Sequence, residues 1–172
     1  MAEEGRKVTF SGAPATLVGR AVKPGDHAPD FTVVTTDANE HHLHTTRGKV
    51  RIISVVPSVD TGTCTIQTRR FEQEAAKLPD AVAVLTISMD LPYAQKRWKS
   101  EQGASRVVFL SDHREASFGT AYGTLMIENR LLGRSVFVIG SDDVVRYAEY
   151  VSDAGKLPDF DQVLHAVHEA LE

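Results

Sequence analysis

The chain has a single cysteine and a single tryptophan in 172 residues, and nowhere an apolar run near the ~20 residues that cross a bilayer. One thiol excludes an internal disulfide framework and any multi-cysteine metal cage, so redox chemistry has to use one sulfur and borrow the other. Excess positive charge is lacking as well. Lys and Arg number 19 against 23 Asp and Glu, a formal net charge of −4, which argues against nucleic acid and anionic membranes as partners. The opening MAEEGRKVTF has no apolar stretch of the secretory kind, which gives the expectation of a soluble, cytoplasmic protein. Internal repeats, low-complexity tracts and Gly/Ser-rich linkers are also missing, so residues 1–172 read as a single domain. What is present, 42% hydrophobic residues, suffices for one buried core.

The order of patterns is that of an α/β protein. Val8 and Phe10, a turn-forming stretch 11–14 and the run 15–18 predict an N-terminal β-hairpin at a sheet edge. Strands are expected at 31–35, 50–56, 81–88 and 107–110, and the run VRIISVV suits a central strand covered on both faces. Helices are expected at 62–78, 91–102 and 116–122. Cys64, Thr68, Phe71, Ala75 and Leu78 share one face of the first of these. Strands 135–139 and 144–150 flank the turn GSDD as an antiparallel pair, and a last amphipathic helix starts near Asp159. The sum is a mixed central sheet flanked by helices.

Chemistry is expected where the buried strand gives way to the helix, in PSVDTGTC, because active sites of α/β proteins gather at the carboxyl ends of strands. Asp60 or Thr61 suits the N-cap and puts Cys64 in the first helical turn. Free backbone N–H groups and the helix dipole favour a thiolate there. Each residue also has a plain structural reading. A lone cysteine is often an inert small hydrophobe, Thr61 a helix cap, Pro57 a strand terminator and Arg134 a solvated surface arginine.

Pro57, Thr61 and Cys64 fill the pattern P-x-x-x-T-x-x-C, and the chain resembles the peroxiredoxins through it. The strings VPSVDTGTCTIQTRRF, SMDLPYAQKRW, LSDHREASFGTAYG and LLGRSVFVIG are similar to the thiol peroxidase branch of that family, over nearly the whole chain. The resemblance implies a thioredoxin-like fold and a thiol-dependent peroxidase acting on hydrogen peroxide and organic hydroperoxides. It implies no cofactor, and a homodimer. Cys64 becomes the nucleophile and Thr61 the hydroxyl that binds thiolate and peroxide. Arg134 becomes the cation that favours the thiolate and holds the peroxide, and Pro57 the residue that shapes the loop and keeps water out.

One departure stands out. The branch usually carries a second, resolving cysteine after the motif that reads KRW here, and this chain has Lys99. A sulfenic acid on Cys64 would therefore be resolved by an external thiol, thioredoxin or a low-molecular-weight one. Two alternatives differ in class: a disulfide reductase, for which the Cys-x-x-Cys motif is missing, and a degenerate relative serving as a peroxide sensor or protein-binding module. The cluster His41, His42 and His44 reads as a polar loop or edge strand and not as a metal site. The substrate pocket is expected among the loops 57–63 and 126–132.

Overall fold

The computed structural model describes residues 5–172. Its framework is a seven-stranded mixed sheet whose strands, in chain order, are β3 (Thr32–Thr35), β4 (Glu40–His42), β5 (Val50–Val55), β6 (Val82–Ser88), β7 (Val108–Ser111), β8 (Ser135–Ile139) and β9 (Val145–Tyr150). In space the order is β4-β3-β7-β6-β5-β8-β9. β5, β6 and β7 run parallel, which requires crossovers. These are helices α1 (Gly62–Ala75) and α2 (Pro92–Gln102). The antiparallel strands β8 and β9 complete one side, and β3 and β4 the other.

Every residue of β5 is buried, and its two-residue period sorts the core into two layers. Val50 and Ile52 face α1, α2 and the C-terminal helix α4 (Phe160–Leu171), meeting Phe71, Trp98, Val163 and Val167. Ile53 and Val55 face the opposite layer, built on the short helix α3 (Ser117–Ala121) and the aromatic set Phe31, Phe118, Tyr122 and Phe137. Phe118 and Tyr122 stack there with centroids 4.4 Å apart, and Tyr122 meets Phe137 edge-on at 5.3 Å. One charged side chain enters β5. Arg51 is fully buried and donates to the carbonyls of Lys49, Leu43 and Gly140, to Thr46 Oγ1 and to the Asp143 carboxylate. It thereby pins the β8–β9 turn to the start of β5.

The structure corrects the sequence reading at two places. The N-terminal hairpin, β1 (Arg6–Phe10) with β2 (Ala13–Leu17), is a separate two-stranded sheet and not an edge of the large one. Alternation predicts that two strands pair but not where the pair docks. Here Ala15 and Leu17 pack on Met126 in a small core of their own. Second, α1 stops at Ala75 instead of 78, because Pro79 disfavours helical backbone just before it. Trp98 and Phe109 meet in the core, whereas Tyr93 is exposed.

Candidate active site

The site begins at a change of backbone. β5 ends at Val55, and the loop through Pro57 leads to Thr61, which caps α1 from extended geometry. Thr61 Oγ1 accepts the Cys64 N–H at 3.3 Å, satisfying one of the donors that a helix start leaves free. The cap expected at Asp60 or Thr61 is thus Thr61. Asp60 instead pairs with Arg97 of α2 at 2.6 Å, an exposed contact. Among the described residues no protein acceptor takes the Thr61 hydroxyl proton. Cys64 itself is fully buried, in the first turn of α1.

Arg134 comes to this cysteine from just before β8, the strand beside β5. Its Nη2 lies 3.3 Å from Cys64 Sγ, its Nη1 donates to Gln67 Oε1 at 2.7 Å, and its Nε donates to the Ala154 carbonyl at 3.0 Å. The side chain is therefore held at both ends of the guanidinium and is buried, not solvated. Gln67 is held in turn. Its Nε2 donates to Ser54 Oγ of β5 at 2.8 Å, and both residues are fully buried. A buried cation fixed by neutral acceptors, with Nη2 turned to sulfur, provides positive charge beside Cys64 without a carboxylate to cancel it.

Sequence reasoning brought Pro57, Thr61, Cys64 and Arg134 to the site, and the structure gathers all four. It missed Gln67, whose signal was available: a polar residue three positions after Cys64 on an otherwise inward face. It also missed Asp90, in the SMDLP string. The Asp90 carboxylate accepts Ser58 Oγ–H at 3.0 Å, the Val59 N–H at 2.9 Å and Ser88 Oγ–H at 2.6 Å, so it ties the loop before Thr61 to the end of β6.

The cleft above Cys64 differs from the one expected. Pro57, Thr61 and Thr63 line one side and Arg134 the floor, but the opposite wall is the hairpin tip, Phe10 and Ser11, with Ala154 and Gly155. The segment 126–132 lies elsewhere, with Met126 and Leu132 buried in the cores. Ser11 and Gly12 both take positive φ, 50° and 78°, giving the tight two-residue turn that lets the tip fold over the cleft. The tip is linked to the arginine through one residue: Ala154 donates its N–H to Thr9 O at 2.8 Å and accepts from Arg134.

The other cations of α1 are engaged elsewhere. Arg69 donates to Gln102 Oε1 at 2.8 Å, and Arg70 pairs with Glu74 at 3.1 Å and covers the Phe160 ring, so neither serves the cysteine. Lys99 lies on α2 beside Thr36, Lys96 and Ser100 at an open surface groove.

A thioredoxin-like sheet carrying a buried cysteine at a helix start, faced by a fixed arginine, defines a class of redox proteins, and the chain belongs to the Redoxin family, whose pattern matches residues 23–164. Within that family its relatives are thiol peroxidases. The thiol peroxidase of Halalkalibacterium halodurans is 54% identical over 164 residues, 95% of this chain and 98% of the relative. That of Bacillus subtilis is 55% identical over 160 residues, 93% of this chain and 95% of the relative. Among solved structures, a peroxiredoxin-like protein from Aquifex aeolicus superimposes with a TM-score of 0.89 at 36% identity, covering 97% of this chain and 98% of that one. The thiol peroxidase from Chromobacterium violaceum shares the fold, with a TM-score of 0.87 at 21% identity over 96% of this chain and 97% of that one. The resemblance drawn from P-x-x-x-T-x-x-C therefore holds.

Proposed function

We propose that Cys64 is the peroxide-attacking nucleophile of a thiol-dependent peroxidase. The observation that carries this reading is Arg134 Nη2 at 3.3 Å from Cys64 Sγ, on a guanidinium whose other contacts are to neutral acceptors. The thiolate attacks one peroxide oxygen and the O–O bond breaks. Cys64 becomes a sulfenic acid, and the departing hydroxide or alkoxide takes up a proton to leave as water or alcohol. Arg134 holds negative charge on sulfur before the attack and on the departing oxygen during it. The Thr61 hydroxyl proton is directed to thiolate or peroxide. Pro57, which has no N–H, shapes a cleft wall that keeps water from the sulfenic acid.

With one cysteine in the chain, an external thiol attacks the sulfenic sulfur and releases water. A second external thiol then frees Cys64 as the external disulfide departs. Thioredoxin and low-molecular-weight thiols are the candidate reductants. Hydrogen peroxide and organic hydroperoxides are both substrates in this reading. The enzyme works as one domain, in the cytoplasm and as a homodimer. The exposed Leu91 and Tyr93, next to the Asp90 that holds the loop, offer apolar surface for that contact.

The test supplies hydrogen peroxide, then a bulky alkyl hydroperoxide, with each reductant in turn. Multiple turnovers that vanish in Cys64→Ser are expected. Without reductant, intact-mass spectra should show added oxygen on Cys64. Undiminished turnover by Cys64→Ser, or a single equivalent of peroxide consumed per chain whatever the reductant, would overturn the proposal.

A further inference from the structure

Away from the cysteine, at the β4 edge of the sheet, three potential ligands from different parts of the chain converge. Asp30, His42 and His44 each offer one donor atom within 4.8 Å of the others. The scaffold beneath them is set by backbone. Asp30 Oδ1 accepts the N–H groups of Phe31 and Leu43, both at 2.9 Å, so its other oxygen is fixed in direction. The imidazoles of His42 and His44 are nearly parallel, 8° apart, with centroids separated by 4.7 Å. His41, between Glu40 and His42 on the strand, points to the buried side and takes no part.

The hydrogen bonds determine which nitrogens are free. His42 Nδ1 lies 3.1 Å from the Phe31 carbonyl and 3.2 Å from Thr32 Oγ1, so this nitrogen is engaged within the strand pair. Nε2 is the nitrogen turned to the cluster, and it faces Glu40 Oε2 at 3.5 Å. His44 Nδ1 lies 3.2 Å from Asp30 Oδ2, so an imidazole nitrogen and a carboxylate oxygen stand side by side here too. Among the described residues, no lysine or arginine forms an ion pair with Asp30 or Glu40. The cluster holds two carboxylates, two imidazoles and no permanent cation.

We propose that Asp30, His42 and His44 form a surface site for a late first-row divalent cation of the Zn2+ type, with the Glu40 carboxylate available to the same ion. Imidazole and carboxylate donors without thiolate suit Zn2+, Cu2+ or Ni2+, and are poor for Mg2+, which demands oxygen ligands in octahedral array. Two ligands bonded to a tetrahedral ion at 2.0–2.2 Å stand about 3.4 Å apart. The His42–Glu40 and His44–Asp30 pairs, at 3.5 and 3.2 Å, are already near that spacing. The two negative charges balance the ion. The reading from sequence alone set these histidines aside because a His-rich edge strand is common. Asp30, 12 residues before His42 and brought beside it by the β3–β4 pairing, is what that reading lacked.

Calorimetric titration of the whole chain with Zn2+, and separately with Mg2+, tests the site. Wild type and Cys64→Ser, which removes the thiol, should each bind one Zn2+ per chain and no Mg2+. His44→Ala, on an exposed ring, should weaken Zn2+ binding by about tenfold or more, and His42→Ala likewise. Peroxidase turnover and unfolding midpoint of His44→Ala should match wild type. Absence of Zn2+ binding, binding unchanged in both histidine variants, or binding lost in Cys64→Ser would each overturn the proposal. None of these outcomes depends on whether Cys64 turns over peroxide.

Discussion

Gln67→Met is the substitution that most directly probes how the arginine is held. It keeps the length and most of the volume of the side chain and removes the acceptor that takes Arg134 Nη1–H at 2.7 Å. That bond is charge-assisted and fully desolvated on the Gln67 side. Hydrogen bonds to charged groups contribute about 1.5–3 kcal/mol. If the freed guanidinium swings from its place 3.3 Å from Cys64 Sγ, that free energy is lost from the transition state, where negative charge shifts to the departing oxygen. The expected result is a fall of roughly ten- to a hundredfold in the second-order rate constant for peroxide, since each 1.36 kcal/mol is a factor of ten. Stopped-flow oxidation of the reduced enzyme reads that constant directly and bypasses the external thiol. Gln67→Glu keeps an acceptor for Nη1 but sets a buried carboxylate against the guanidinium, so it should hold Arg134 in place and still slow peroxide attack, which a purely steric effect of the site would not predict. A folded Gln67→Met that reacts at the wild-type rate would show that Gln67 does not position Arg134.

Other perturbations are graded by the contacts they remove. Thr61→Val loses the cap on the Cys64 N–H, worth about 1 kcal/mol and so some 2–4 °C in melting temperature, and should also slow peroxide attack; Thr61→Ser should restore both. An unchanged melting curve in Thr61→Val would deny the cap its role. Asp143→Asn keeps the left-handed backbone but removes the carboxylate facing buried Arg51. Since Asp143 is partly exposed, the cost is expected at about 2 kcal/mol, below the 3–5 of a fully buried pair, and chemical denaturation measures it. Burial drives the Asp112 carboxyl up from 3.8 to about 6, against the N–H groups of Phe118 and Gly119 that stabilise its charge. A folded value above the unfolded one means that ionising Asp112 costs stability. The cost is complete above pH 6, shrinks as the carboxyl takes up its proton on acidification and is gone below pH 4, for a total of roughly 3 kcal/mol. Relative to Asp112→Asn, wild type should therefore gain stability between pH 7 and pH 5; parallel pH profiles of the two would refute this.

Much of the architecture could be read from periodicity. β5 announces itself as an apolar, β-branched run, and α1 and α4 by apolar residues at alternating steps of three and four. Their ends moved by a few residues because neighbours such as Pro79 decide where a helix frays. The hairpin was legible as a pair of strands, whereas its docking was not. That depends on Leu17 finding Met126, a contact across more than a hundred residues. The same limit applies to the cleft, whose wall of Phe10, Ser11 and Ala154 is assembled from both ends of the chain.

The local order of residues alone determined that Cys64 stands at a helix start after a strand, with Asp60 or Thr61 as its cap, because capping and helix geometry operate within four residues. Composition alone determined that any second sulfur must come from outside, since the chain has no other cysteine. Tertiary structure decided what faces that sulfur. The strand order sets β8 beside β5 and delivers Arg134 across 70 residues of chain to Cys64, with Gln67, Ser54 and Ala154 holding it there. Directional contacts between distant segments depend on which strands pair and in what register, and no local pattern encodes them.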